Sequence, residues 1–159
     1  MSGCRRLVII LTIIGLLGAK SPIARAAGMD GKQIKIAAKI FNFIANKPAP
    51  GAGVVVFSGA ADVTALGAAL INLRVIEGSA TDVASAVAVF VNSSAEAKAA
   101  SQVNSRILTI GTDVACVDSG ACILVVQTIP KVSVYLNRAA AMAAGIDFDT
   151  AFKMLVTER

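Results

Sequence analysis

Cys116 and Cys122 flank five residues, Val117-Asp118-Ser119-Gly120-Ala121, and no histidine occurs anywhere in the 159 residues. Two close thiols fit a structural disulfide, a dithiol redox pair, or half of a metal site. A redox pair usually reads Cys-x-x-Cys at the start of a helix, and this spacing is longer. Zinc asks for four ligands, or three and a water, and a chain without imidazole offers few. A disulfide closing a small loop is the favoured reading. The loop-entropy account gives it ~2–3 kcal/mol or less, so its main use is to fix the shape of one turn. The missing histidine also removes every Ser-His-Asp and Cys-His arrangement.

Other chemistry is sparse. Gly51-Ala52-Gly53 precedes an apolar run, whereas a dinucleotide fingerprint follows a strand and opens a helix. No Gly-Lys-Ser/Thr phosphate loop is present. Ser58-Gly59 does follow an apolar run and open a small-residue segment, so its N–H groups could face an anion; a plain strand-to-helix turn is the commoner meaning. The carboxylates Asp62, Glu77, Asp82, Glu96, Asp113, Asp118, Asp147, Asp149 and Glu158 fall mostly at expected turns and helix starts, where capping accounts for them. Asp113 and Asp118 in the cysteine loop lack the dense acidic pattern of a calcium site. Asn92-Ser93-Ser94 is a glycosylation sequon, relevant only in a eukaryotic secretory pathway. The chain is expected to be a non-enzyme, with no catalytic, cofactor or metal residues. Two classes remain: a protein that binds a protein, and a small-ligand (anion) binding domain with Ser58 and Gly59 as its site.

The elements that would position these residues begin after a leader. Arg5-Arg6, the apolar run Leu7 to Gly18 and the small residues of Ala24-Arg25-Ala26 are the three parts of a secretory signal peptide, with cleavage after Ala26. Twelve apolar residues rise only about 18 Å as a helix, short of the ~30 Å hydrocarbon core. A periplasmic location is expected. Residues 27–159 would then be one domain. Four of the 15 basic residues and none of the 10 acidic ones lie in 1–26, so the remainder carries 11 against 10, a formal +1. That balance leaves no patch for nucleic acid. Its apolar runs are too short to span a bilayer. Lys32, Lys35 and Lys39 share one expected helix and read as a solvated face.

Met29 to Asn46 carries the three- and four-residue periodicity of an amphipathic helix, ended by Lys47-Pro48. Val54 to Phe57 reads as a strand buried on both faces, Ala60 to Leu70 as a helix, and Leu73 to Ile76 as an edge strand. Ala86 to Val91 is another buried strand. Ser93 has capping-box spacing to Glu96, opening a helix to about Val103. Arg106–Ile110 and Ile123–Ile129 are further strands; Val132–Leu136 alternates, suggesting a hairpin at the sheet edge. Asn137 to Ala144 reads as helix with Gly145 at the left-handed C′ position, and a last helix starts near Asp149, whose carboxylate can cap the free N–H groups before Phe152 and Leu155. The expected fold is α/β: one compact domain, a largely parallel sheet of about five to six strands, a closing hairpin and flanking helices.

Arg106-Ile107-Leu108-Thr109-Ile110-Gly111, then Gly120-Ala121-Cys122-Ile123, then Val134-Tyr135-Leu136-Asn137 with Gly145-Ile146 beyond, resembles the YfiR-like family of bacterial periplasmic proteins. The likeness covers about residues 30–157. Its motifs are short and mostly structural. The family's Trp-Pro after the first helix is reduced here to Lys47-Pro48. Its Gly-Gly becomes Gly120-Ala121, its Phe-x-Ile-Asn begins with Val134, and Asp149 and Lys153 replace a serine and an apolar residue. The resemblance implies a small regulator that restrains the periplasmic domain of an inner-membrane diguanylate cyclase, in cyclic di-GMP signalling. It also implies a disulfide at Cys116–Cys122 whose redox state bears on partner binding. A homodimer is an expectation of the broader class, since small α/β regulators often pair.

Overall fold

The computed structural model describes residues 28–159; the expected leader and its cleavage point after Ala26 lie outside them. Seven strands form one sheet: β1 (Gly53–Phe57), β2 (Arg74–Gly78), β3 (Ala86–Phe90), β4 (Leu108–Gly111), β5 (Leu124–Gln127), β6 (Ser133–Leu136) and β7 (Thr157–Glu158). Their spatial order is β2-β1-β3-β4-β5-β6-β7. Strands β1 to β5 are mutually parallel, β6 is antiparallel to β5, and β7 runs parallel to β6. Val54-Val55-Val56-Phe57 and Ala88-Val89-Phe90 are buried throughout. Continuous β-branched runs of this kind suit strands covered on both faces.

Among the described residues six helices cover the sheet: α1 (Gly31–Ile40), α2 (Val63–Ala69), α3 (Ser94–Val103), α4 (Val114–Asp118), α5 (Arg138–Ala143) and α6 (Thr150–Leu155). Helix α1 packs on α2, while α3 packs on a 3-10 turn (Ala80–Ser85) and on α4. The first strand connection runs from β1 to β2 on one side, the next crosses back over β1 to β3, and those after it step on to β4 and β5 in that second direction. Right-handed crossovers then place these two groups on opposite faces. The order 2-1-3-4-5 is that of a doubly wound fold, with its switch point between β1 and β3.

Several boundaries differ from the sequence reading. Helix α1 stops at Ile40 and tightens into a 3-10 turn, Phe41–Phe43, because Phe43 stacks on Phe152 and Ile44 bridges Phe148. The helix expected from Ala60 starts at Val63: the Ala60 carbonyl accepts from Met29 N at 2.7 Å, and Asp62 caps the helix through Ala65 N. The cysteine loop contains α4, which the sequence does not announce. The hairpin β5–β6 is not the sheet edge, since β7 lies outside it. That seventh strand is two exposed residues held by backbone pairing to Tyr135 and Leu136.

Polar satisfaction is complete in the interior: among the described residues no buried side-chain nitrogen or oxygen lacks a partner. Three surface carboxyls are held below the usual aspartate value of 3.8: Asp30 chiefly by the Gln33 N–H, Asp82 by the Ser79 N–H, and Asp147 by the Lys153 ammonium. A carboxyl whose pKa is depressed on folding stabilises fully above its unfolded value and less as pH falls below it. No histidine titrates between. The urea midpoint is therefore expected to stay level from about pH 5 to 7 and to fall below about pH 4. A step near pH 6 in a pH series of urea melts would contradict this.

Candidate functional site

The cysteine pair sits where β4 hands over to β5. Asp113 caps α4 by accepting from Ala115 N at 3.0 Å, and α4 carries Cys116 into the interior. The chain reverses at Gly120, whose φ of 73° favours glycine. Ala121 N and Cys122 N then both donate to the Cys116 carbonyl, at 3.0 and 2.9 Å. Cys116 and Cys122 are disulfide-bonded with Cα atoms 5.1 Å apart, and both are buried. Beneath them Thr109, the one buried polar side chain among the described residues, donates from Oγ1 to the Ala121 carbonyl at 3.2 Å and accepts from Ile123 N at 2.9 Å. Asn137 donates to the Val117 carbonyl at 2.9 Å while capping α5. The turn is thus bonded from three strands' ends, and the disulfide is its staple.

Asp113 and Asp118 stand at opposite ends of α4. Asp113 is spent on the cap, and Asp118 faces Arg159 at 3.8 Å, whose guanidinium lies 5.2 Å from the Tyr135 ring centre. Among the described residues no three His, Cys, Asp or Glu side chains come together as metal ligands. Asp62, Asp82, Asp113 and Asp149 act as caps. Glu96 accepts from the Asn92 N–H at 2.7 Å, one residue before the position that the capping-box spacing specifies.

Ser58 and Gly59 lie at the switch point, where open α/β sheets place ligands. Here the chain fills the place itself. Met29 is buried, its N–H bonds the Ala60 carbonyl, and Asn92 Nδ2 donates to the Ser58 carbonyl at 2.9 Å. Gly28 passes so close that a Cβ on it would overlap the Gly59 carbonyl. The turn closes on itself through Ala60 N and Phe57 O, and three residues separate Gly59 from the seven-residue α2. It does not open a helix, so the N–H cluster that an anion needs is not assembled at Ser58 and Gly59.

One concave feature the sequence did not point to is at the other end. An apolar groove of about 390 Å³ runs beside α5, floored by Leu136, Ala141, Ile146 and Phe148. Arg138, Asp147 and Lys153 rim it. The rim charges are already answered: Lys153 pairs with Asp147 at 2.7 Å and Arg138 with Glu158 at 3.7 Å. Met142 on its wall, and Met154 and Leu155 on α6, are 70, 81 and 74% exposed. Phe152 and Leu155 read alike in the sequence; only Phe152 faces inward. Exposed methionines at a helix surface are adaptable contact residues.

No protein-family model matches the chain, and no curated protein matches its sequence. What fold and site define is a class: a doubly wound, disulfide-stapled α/β domain whose β1–β3 turn is covered by Gly28 and Met29 and which carries an apolar groove beside α5. Among the described residues no helix is long and apolar enough to cross a membrane.

Proposed function

We propose that this chain is an exported periplasmic regulator that acts by holding a protein partner, and that the partner is the periplasmic domain of an inner-membrane diguanylate cyclase, which it restrains. The observation that carries the binding reading is the α5–α6 end, where exposed Met142 lines an apolar groove and α6, whose Lys153 rims that groove, carries Met154 and Leu155 exposed. Because the rim cations are neutralised by their own carboxylates, that end rewards an apolar segment of the partner over a charged one. Export rests on the leader pattern of residues 1–26. The nature of the partner rests on the resemblance to the YfiR-like family. Filling of the β1–β3 switch point weighs against the small-anion alternative at Ser58 and Gly59.

The test is crosslinking in cells, capture of the tagged full chain from the envelope, and mass spectrometry of the co-captured protein. Expected is an inner-membrane protein with a periplasmic segment and a cytoplasmic cyclase domain. Met142→Glu with Met154→Glu should lower its recovery about tenfold or more, while these exposed sites leave stability within about 0.5 kcal/mol. Recovery unchanged in the variant would remove the groove from the reading, and recovery of no membrane protein would overturn the reading itself.

A further inference from the structure

Helix α1 presents Lys32, Lys35 and Lys39 to solvent, and at 100° per residue they fall within about 60° of arc. None of them lies within ion-pairing distance of a carboxylate among the described residues. The helix has one acidic neighbour, its N-cap Asp30, whose carboxylate is occupied by the Lys32 and Gln33 N–H groups and by Thr128 Oγ1. Helix α2, packed alongside, has the sequence VTALGAA and adds no charge beyond its own cap, Asp62. Among the described residues the stripe therefore has no ion-pair partner.

The β5–β6 loop is fastened to the same end of α1. Thr128 Oγ1 donates to Asp30 at 3.1 Å, and Gln33 Nε2 donates to the Val126 carbonyl at 3.0 Å. One residue past Thr128 the loop carries Ile129, 82% exposed, and then Val132, 54% exposed, with Pro130 and Lys131 between them. At the tip of a tethered loop, most of Ile129 and half of Val132 are thus left in water. From that tethered end of α1 the lysine stripe runs on for about 10 Å.

We propose that this face docks on an anionic lipid bilayer, with Ile129 and Val132 entering the interface and Lys32, Lys35, Lys39 and Lys131 lying over the lipid phosphates. Basic residues near an anionic leaflet attract it, and aliphatic side chains gain by leaving water for the acyl boundary. A nucleic acid would answer the lysines and leave the aliphatic pair without reward, and the loop has no aromatic residue on which a base could stack. The inference does not rest on the cyclase reading, because the test contains lipid and this chain alone.

The experiment is flotation of the processed full chain with vesicles of phosphatidylglycerol and phosphatidylcholine, against vesicles of phosphatidylcholine only, at low and high salt. Binding to the anionic vesicles that weakens with salt is expected. Lys32→Gln with Lys35→Gln and Lys39→Gln should weaken it roughly a hundredfold. Ile129→Ser with Val132→Ser should weaken it about tenfold or more. The chain has no tryptophan, so Val132→Trp is a clean reporter whose emission should shift to the blue and be quenched by brominated lipid. No binding to anionic vesicles overturns the proposal. So does binding that survives either set of substitutions, and so does an indole reporter that stays unquenched on bound protein. Recruitment by an acidic protein but not by vesicles would assign the lysines to that protein instead.

Discussion

Phe152→Ala is expected to cost ~3–5 kcal/mol, the range for removing a buried aromatic side chain, and to release the C-terminus before the rest unfolds. Phe152 is the residue by which α6 is held. Its ring lies 5.5 Å from Phe43 and 4.8 Å from Phe148, centre to centre. A helix of six residues has no stability of its own, so what remains is a few hydrogen bonds and the solvent-exposed Lys153–Asp147 pair. Asp149 N donates to the Phe43 carbonyl at 2.9 Å, and Phe152 N donates to Asp149. Neither bond compensates for the lost packing, since a net hydrogen bond is worth about 1 kcal/mol. With α6 loosened, β7 loses its anchor on one side, and the Arg159 N–H bond to the Leu136 carbonyl opens. Hydrogen exchange should then show residues 157–159 unprotected while α1 and β3 keep their protection, and the urea midpoint should drop. An unchanged midpoint would mean that α6 is not docked through this ring. Met154→Ala two residues on makes the contrast, because that side chain is exposed and its loss should leave stability level.

The same residues show what a sequence can and cannot disclose. Val54 to Phe57 and Ala86 to Phe90 announce buried strands because burial on two faces leaves no polar position to hide them. Ser93 and Asp149 mark helix starts because capping is a local bond between a side chain and an N–H two or three residues away, whereas Asp62 and Asp113 show their caps only once the fold is known. Strand β7 is invisible for the opposite reason: Thr157 and Glu158 pair through backbone alone, and their side chains need no pattern. Helix α4 is too short for periodicity, and tertiary bonds from Asn137 fix it. Phe152 and Leu155 have equal claims on the core by spacing, and Phe43, more than a hundred residues away, decides between them. The self-filled crevice depends on Gly28 meeting Gly59, a contact between the segment before α1 and the turn after β1 that local spacing does not reveal. The candidate groove at α5 was hidden for that reason too. It is a consequence of where α6 lands.

Replacing both cysteines, Cys116→Ala with Cys122→Ala, is expected to cost ~2–3 kcal/mol for the loop alone, with α4 the first element to lose exchange protection. A five-residue helix has too few internal bonds to persist, and here it is clamped between a disulfide and Asn137. The surroundings are built for the bonded form. A Cβ on Gly111 would sit 3.1 Å from Cys122 Sγ, and the Thr109 hydroxyl spans Ala121 and Ile123 directly below. Burial also decides what the disulfide can do. Exchange requires a thiolate to reach a sulfur, and both cysteines are enclosed by the core. Reduction of the native protein by dithiothreitol should therefore be slow, and should accelerate with urea in step with unfolding. Partner capture should be insensitive to reductant over the interval in which the fold survives. The alternative outcome is specific: fast reduction in the absence of denaturant, with capture lost while the melt is unchanged, would make the pair a redox switch as the family resemblance implies. Since the sulfurs are sealed in and the turn's own amides close over Cys116, the staple is the role the geometry favours, and the reduction rate separates the two.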